Sequence, residues 1–136
     1  MSQLPGNIQV DSLFLDANIL LEIILGRRQE SIARRLIESQ SDHLFISTLT
    51  AHLVVHFGHV IVNLPILRNF LSDYTILTLD PVDFEWAFTN IRNQDFEDAL
   101  QLAVAIRNGC DRFLTLDKTL STSYKDLSPI QIQLLS

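Results

Sequence analysis

Hydrophobic and polar positions along the chain alternate between two patterns, and the alternation sets the architecture. Short runs rich in apolar and β-branched residues recur at positions 12–15, 43–46, 74–79, 112–116 and 130–134. Runs of this length and composition read as strands. Between them, positions 17–25, 29–39, 47–63, 64–72, 81–92 and 95–109 carry apolar residues at helical spacing. Strands that alternate with helices over the whole length predict an α/β fold, one domain over residues 1–136, with a five-stranded, mainly parallel sheet flanked by helices.

The unit at positions 95–117 is the most sharply defined. Asp95 is placed to cap a helix, Glu97 and Asp98 add acids to its first turn, and Gly109 stands where a left-handed terminus is expected. Positions 99–106 are apolar except for Gln101, so this helix is buried on most of its circumference. A helix rising ~1.5 Å per residue from the sheet's lower edge starts about 20 Å higher. Asp98 and Asp117 therefore share the carboxyl edge of the sheet, where open parallel sheets bind ligands. Asp16 ends the first strand and joins them there.

Other segments carry narrower expectations. The second helix buries Ile32 and Leu36, with Ala33 and Ile37 beside them; the helix at 81–92 buries Phe84, Ala87, Phe88 and Ile91. Ser47 caps a third helix whose apolar surface is crossed by one seam of His52, His56, His59 and Asn63. That seam is either a solvent or interface face or, at His52, part of the carboxyl edge. The residues after Asp117, KTLSTSYKDL, read as polar and turn-rich.

Composition narrows the function classes. The formal charge of -6 has the wrong sign for a broad basic nucleic-acid face, although a carboxylate cluster filled by divalent cations attracts phosphate. Arg27, Arg28, Arg34 and Arg35 form one basic window, read as a solvated helix face or a phosphate track. The lone Cys110 makes no internal disulfide, and residues 1–9 lack the basic start and apolar core of a signal peptide, so a cytoplasmic location is expected. His52, His56, His59 and Asn63 argue against a membrane span over 46–67.

Asp16, Asp98 and Asp117, with Asp95 close behind, converge from distant positions. Each alone serves equally well as a helix cap; together they repel unless a cation neutralises them. Oxygen ligands of this kind suit Mg²⁺ or Mn²⁺, which activate water and stabilise a leaving oxygen at phosphorus.

With these features the chain resembles the PIN-domain nucleases, and among them the small VapC-like toxin ribonucleases of toxin and antitoxin pairs. The matching stretches are LFLDAN with Asp16 and Asn18, ISTLTAHL after the second strand, DFEDALQLAVAI with Asp95 and Asp98, and FLTLDKTL with Thr115 and Asp117. The resemblance implies a sandwich of helices around a five-stranded parallel sheet, metal-dependent cleavage of RNA phosphodiesters, and a dimer inhibited by an antitoxin. It assigns Asp16, Asp98 and Asp117 as catalytic metal ligands, and Asp95 and Asn18 as ligands or their supports. One departure stands out: the family's usual Glu on the third helix is matched here by His52. An imidazole suits Mn²⁺ better than Mg²⁺, so His52 is either a further ligand or the mark of a weakened site. A catalytically weak PIN-like module that binds RNA or a protein partner is the competing expectation. No glycine-rich phosphate loop follows the first strand, which disfavours a nucleotide-binding module. The apolar third and fourth helices, with Leu64, Ile66, Leu67 and Phe70, point to a homodimer.

Overall fold

The computed structural model describes residues 11–39, 43–127 and 129–135, and the reading of residues 1–9 lies outside them. Along the chain come β1 (Leu13–Leu15), α1 (Ala17–Ile24), α2 (Glu30–Ser39), β2 (Leu44–Ser47), α3 (Thr48–Gly58) and α4 (Leu64–Leu71). There follow β3 (Thr75–Leu77), α5 (Pro81–Asn90), α6 (Phe96–Arg107), β4 (Arg112–Thr115), α7 (Lys118–Ser123) and β5 (Gln131–Leu134). The strands lie in the order β3-β2-β1-β4-β5, and every neighbouring pair is parallel. The expected five-stranded parallel α/β sandwich is therefore the observed fold.

β1 sits at the centre because both of its faces are apolar. Alternate side chains point to opposite faces. Leu13 and Leu15 meet Ile19 and Leu20 of α1 and Val54 of α3, while Phe14 meets Phe113 of β4 and Leu102 of α6. The Phe14 and Phe113 rings stack at 5.4 Å between centroids, on residues that are register partners. This register, Leu15 against Leu114, brings the ends of β1 and β4 level, and the Asp16 amide donates to the Leu114 carbonyl at 2.9 Å. α6 is buried from Asp98 through Ala105, as its composition requires, and ends at Gly109 with φ 71°. Among the described residues no helix is long and apolar enough to cross a membrane.

Four local expectations are corrected. α3 stops at Gly58 rather than running to position 63, and Asn63 instead caps α4 through a bond from the Ile66 amide at 3.1 Å. The break follows from packing: Leu67 comes so close to Gly58 that a Cβ there would meet Leu67 Cδ2 at 3.0 Å. On α2 the expected Ala33 and Ile37 are buried and Leu36 packs against the same core, but Ile32 is 39% exposed. α5 buries Ala87 and packs Ile91 against the core, but leaves Phe88 largely and Phe84 partly in solvent. The segment after Asp117 is a short helix, α7, because Asp117 caps it and Leu120 and Tyr124 drop into the core.

Candidate active site

The carboxylates are placed by helix starts. Asp16 follows β1 and caps α1, Asp95 caps α6, Asp98 lies in the first turn of α6, and Asp117 follows β4 and caps α7. In each case the helix dipole and free backbone amides favour negative charge locally. A pocket of about 440 Å³ opens beside them, walled by Asn93, Asp95, Phe96, Asp98, Asp117 and Thr119, while Asp16 is buried and does not form part of its wall. A larger groove of about 960 Å³ is lined by residues such as Leu64, Leu71, Tyr74 and Ile76 and shares no wall with it. That groove is mostly hydrocarbon, so the smaller pocket is the one with chemistry.

Thr115 is the hub of the site. Its hydroxyl donates to Asp16 Oδ2 at 2.8 Å and accepts from the Asp117 amide at 3.0 Å and from Asn18 Nδ2 at 3.3 Å. One donor and two acceptor positions are all used. Asn18 Oδ1 in turn accepts from the Leu116 amide at 3.1 Å, so the LFLDAN and FLTLD motifs are tied together. Asp16 Oδ1 accepts from the Ala17 amide at 2.8 Å. At the other wall, Asn93 Nδ2 donates to Asp98 Oδ2 at 3.0 Å, an orienting contact that no sequence pattern announced. A third element of the site is neutral: Ser47 Oγ donates to Gln101 Oε1, and Gln101 Nε2 to Thr50 Oγ1, both at 2.7 Å. This clamps the first turn of α3 onto α6 one turn beyond Asp98.

Burial and mutual repulsion set the acidities. Asp16 is pushed up to about 6, chiefly because burial removes its hydration; bonds from Thr115 and Ala17 oppose the rise, and the charges of Glu97 and Asp117 add to it. Asp98 is pushed up to about 7, again first by burial, then by the charges of Asp16 and Asp95. Glu97 is raised by burial and by Asp95. Asp16, Asp95, Asp98 and Asp117 thus feel one another's fields. Among the described residues, no three His, Cys, Asp or Glu side chains stand close enough to ligate one ion together as they are. The donor set, all oxygen and partly open to water, fits a hard divalent cation.

His52 is exposed on α3, its ring stacks on His56 at 5.8 Å between centroids, and, like Asp16, it does not form part of the pocket wall. Arg27, Arg28, Arg34 and Arg35 are exposed, Arg34 pairing with Glu30 at 2.8 Å.

The family model of the PIN domain matches residues 13–125, most of the chain and all of the carboxylates above. The chain belongs to the PIN domain family. No curated protein matches it by sequence. Solved PIN structures match its fold. One is the DNA-bound VapBC of Salmonella typhimurium, at TM-score 0.70 and 16% identity over 90% of this chain and 97% of that one. A toxin-antitoxin complex from Klebsiella pneumoniae matches at TM-score 0.70 and 22% identity, over 87% and 93% of the two chains. VapC20 of Mycobacterium tuberculosis, described as a sarcin-ricin loop cleaving toxin, matches at TM-score 0.64 and 20% identity, over 82% and 94%. At these identities the likeness establishes the fold of this PIN domain.

Proposed function

We propose that this PIN domain is a divalent-metal-dependent ribonuclease that cleaves RNA phosphodiester bonds, the toxin of a toxin and antitoxin pair acting in the cytoplasm. The observation that carries the reading is that Asp16, Asp98 and Asp117 stand within reach of one another's charge, Asp98 and Asp117 in the pocket wall and Asp16 buried, with Asp16 and Asp98 raised to about 6 and about 7. A fold scaffold has no need of buried carboxylates that repel, and perturbed acids of this kind gather where charge is to be received. Asp16, Asp98 and Asp117 would hold Mg²⁺ or Mn²⁺, with Asp95 at the rim. When bound, the cation supplies Lewis acidity toward a phosphodiester and activation of a water for attack at phosphorus.

The chain's own residues prepare the pocket. Thr115 and the Ala17 amide fix both oxygens of Asp16, so its free lone pairs keep one direction. Asn93 does the same for one oxygen of Asp98. An Asp98 carboxyl that half-protonates near pH 7 yields its proton as positive charge enters, which couples cation binding to pH.

An antitoxin partner is supported by the fold relatives, which are described as VapBC and toxin-antitoxin complexes. A homodimer is supported by apolar surface on and after α3 and along α4: Phe57, Val60, Ile61, Leu64 and Ile66 are between 47% and 79% exposed. Patches of this kind mark protein contacts.

Incubation of the purified chain with single-stranded RNA tests the reading. Cleavage is expected with Mn²⁺ or Mg²⁺ and none in excess chelator; metal-independent cleavage that survives Asp16→Asn would overturn it. The competing reading, a catalytically weak module, is favoured by one observation, that the position the resemblance matches to the family's Glu is His52, exposed on α3 and stacked on His56. His52→Ala is accordingly expected to leave Mn²⁺ affinity and turnover unchanged. A tenfold loss of affinity, about 1.4 kcal/mol, would make His52 a ligand after all.

A further inference from the structure

A group of phenylalanine rings stands in water directly beside the carboxylate pocket. Phe88 is 68% exposed and Phe84 40%. Both lie against Phe96, with ring centroids 4.8 Å and 6.1 Å away. Phe96 itself walls the pocket together with Asp95 and Asp98. The rings rest on rigid elements: Phe84 and Phe88 are one turn apart on α5, Phe96 opens α6, and the two helices close on each other beneath through Ala87, Ala99 and Leu100. The buried part of the contact between the helices is made by Ala87, Ala99 and Leu100, and Phe88 touches α6 through Phe96 while keeping most of its ring in solvent.

The geometry points to an aromatic ledge of Phe84, Phe88 and Phe96 on which an unpaired nucleobase stacks while its adjoining phosphodiester lies in the carboxylate pocket. This deepens the ribonuclease reading and rests on it. Phe96 belongs to both ledge and pocket, so an occupant of one is within reach of an occupant of the other. A polynucleotide meets that condition because it carries a base beside every phosphate. Aromatic faces accept any base, and stacking requires the base to be out of a duplex, whose stacked pairs present only edges and phosphates. Charge complements this. With a net charge of -6 the chain gains little from general attraction to the phosphate backbone, so stacking carries a larger share of affinity.

The test uses the full chain, a short single-stranded RNA, the same RNA with an abasic ribose beside the cleaved bond, and its duplex. Affinity is read by fluorescence anisotropy, and KM and kcat in Mn²⁺. Phe88→Ala is expected to weaken binding and raise KM about tenfold, about 1.4 kcal/mol, while Phe88→Tyr keeps both near the wild-type value. The abasic RNA should lose as much with the wild type and nothing further with Phe88→Ala. A melting curve for each variant checks the fold; Phe88 is mostly in solvent, so none should change. Equal affinities of wild type and Phe88→Ala, additive losses, or duplex handled as well as single strand would overturn the ledge while leaving the ribonuclease reading intact. A Phe88→Ala chain that binds RNA normally but loses self-association or antitoxin binding would assign the rings to a protein partner instead, and overturn the ledge. Wild type that neither binds nor cleaves any RNA overturns the ribonuclease reading and the ledge together.

Discussion

Replacing Asp98 by Asn should make the metal-free protein more stable, a direction opposite to that of most substitutions at buried positions. The Asn keeps the size of the side chain and can still accept the bond from Asn93, so the change removes charge and little else. In the folded chain the Asp98 carboxyl is raised from 3.8 to about 7, by burial and by the charges of Asp16, Asp95 and Asp117. At about 1.4 kcal/mol per pKa unit this costs the ionised form at most about 4 kcal/mol. The pocket is partly open to solvent, and the start of α6 favours a negative charge by about 0.5 kcal/mol, so roughly half, ~2 kcal/mol, should be recovered. A raised pKa means that between about pH 4 and pH 7 the folded state holds a proton that the unfolded chain has released. The native state's advantage from this proton is fully present below pH 4 and is lost as pH rises through about 7. The gain from Asn should therefore be near zero at pH 4 and reach ~2 kcal/mol above pH 8, roughly 7 °C in Tm for a domain of this size. Urea unfolding of both proteins in chelator at pH 4.5 and pH 8 measures it. An Asn variant less stable at pH 8, or equally changed at both pH values, would refute this account of the carboxylate cluster.

Three further substitutions follow from the contacts. Thr115→Val removes a hydroxyl that serves Asp16, Asn18 and the Asp117 amide at once; a loss of about 2 kcal/mol in urea unfolding is expected, with a kcat reduced more than tenfold. Arg107→Gln breaks the two bonds to the buried Asp83 carboxylate, at 2.8 Å and 3.0 Å, and the bond to the Thr78 carbonyl; because Arg107 is one-third exposed, about 2 kcal/mol is expected, seen as a lower urea midpoint with RNA cleavage unchanged at low temperature. Ile61→Glu places a charge on the most apolar exposed surface, and sedimentation should show it monomeric where the wild type is a dimer; a wild type that sediments as a monomer at tens of micromolar, roughly the range of weak dimers, removes the dimer.

The sequence was most legible where a residue's role is decided locally or where an element is enclosed on all sides. α6 reads correctly end to end because nearly every position is apolar and Gly109 alone supplies the left-handed terminus. Asp16, Ser47 and Asp95 were recognisable as caps, and helix starts in a parallel α/β fold share the carboxyl edge of the sheet. What failed depends on partners that are distant in sequence. α5 has an apolar stripe, but it packs mainly on α6, and the small Ala87 and Ala99 fill that contact and leave Phe88 outside. The end of α3 is dictated by Leu67 pressing on Gly58, and α7 exists because Leu120 and Tyr124 have a core to enter. Within the site, the carboxylates carry a pattern in the sequence. Asn93 and the Ser47, Thr50 and Gln101 clamp do not, since uncharged polar residues are common in loops and helix starts.

Asp16, Asp98 and Asp117 are proposed to cleave RNA with a divalent metal. The most direct test of this is the cleavage rate of single-stranded RNA measured across a Mn²⁺ titration, with wild type and Asp98→Asn side by side. A saturable rise from zero is expected in the wild type, with the Asn variant at least a hundredfold slower at saturation, about 2.7 kcal/mol of transition-state stabilisation. Equal rates in the two proteins, or wild-type cleavage that does not depend on Mn²⁺, would contradict it.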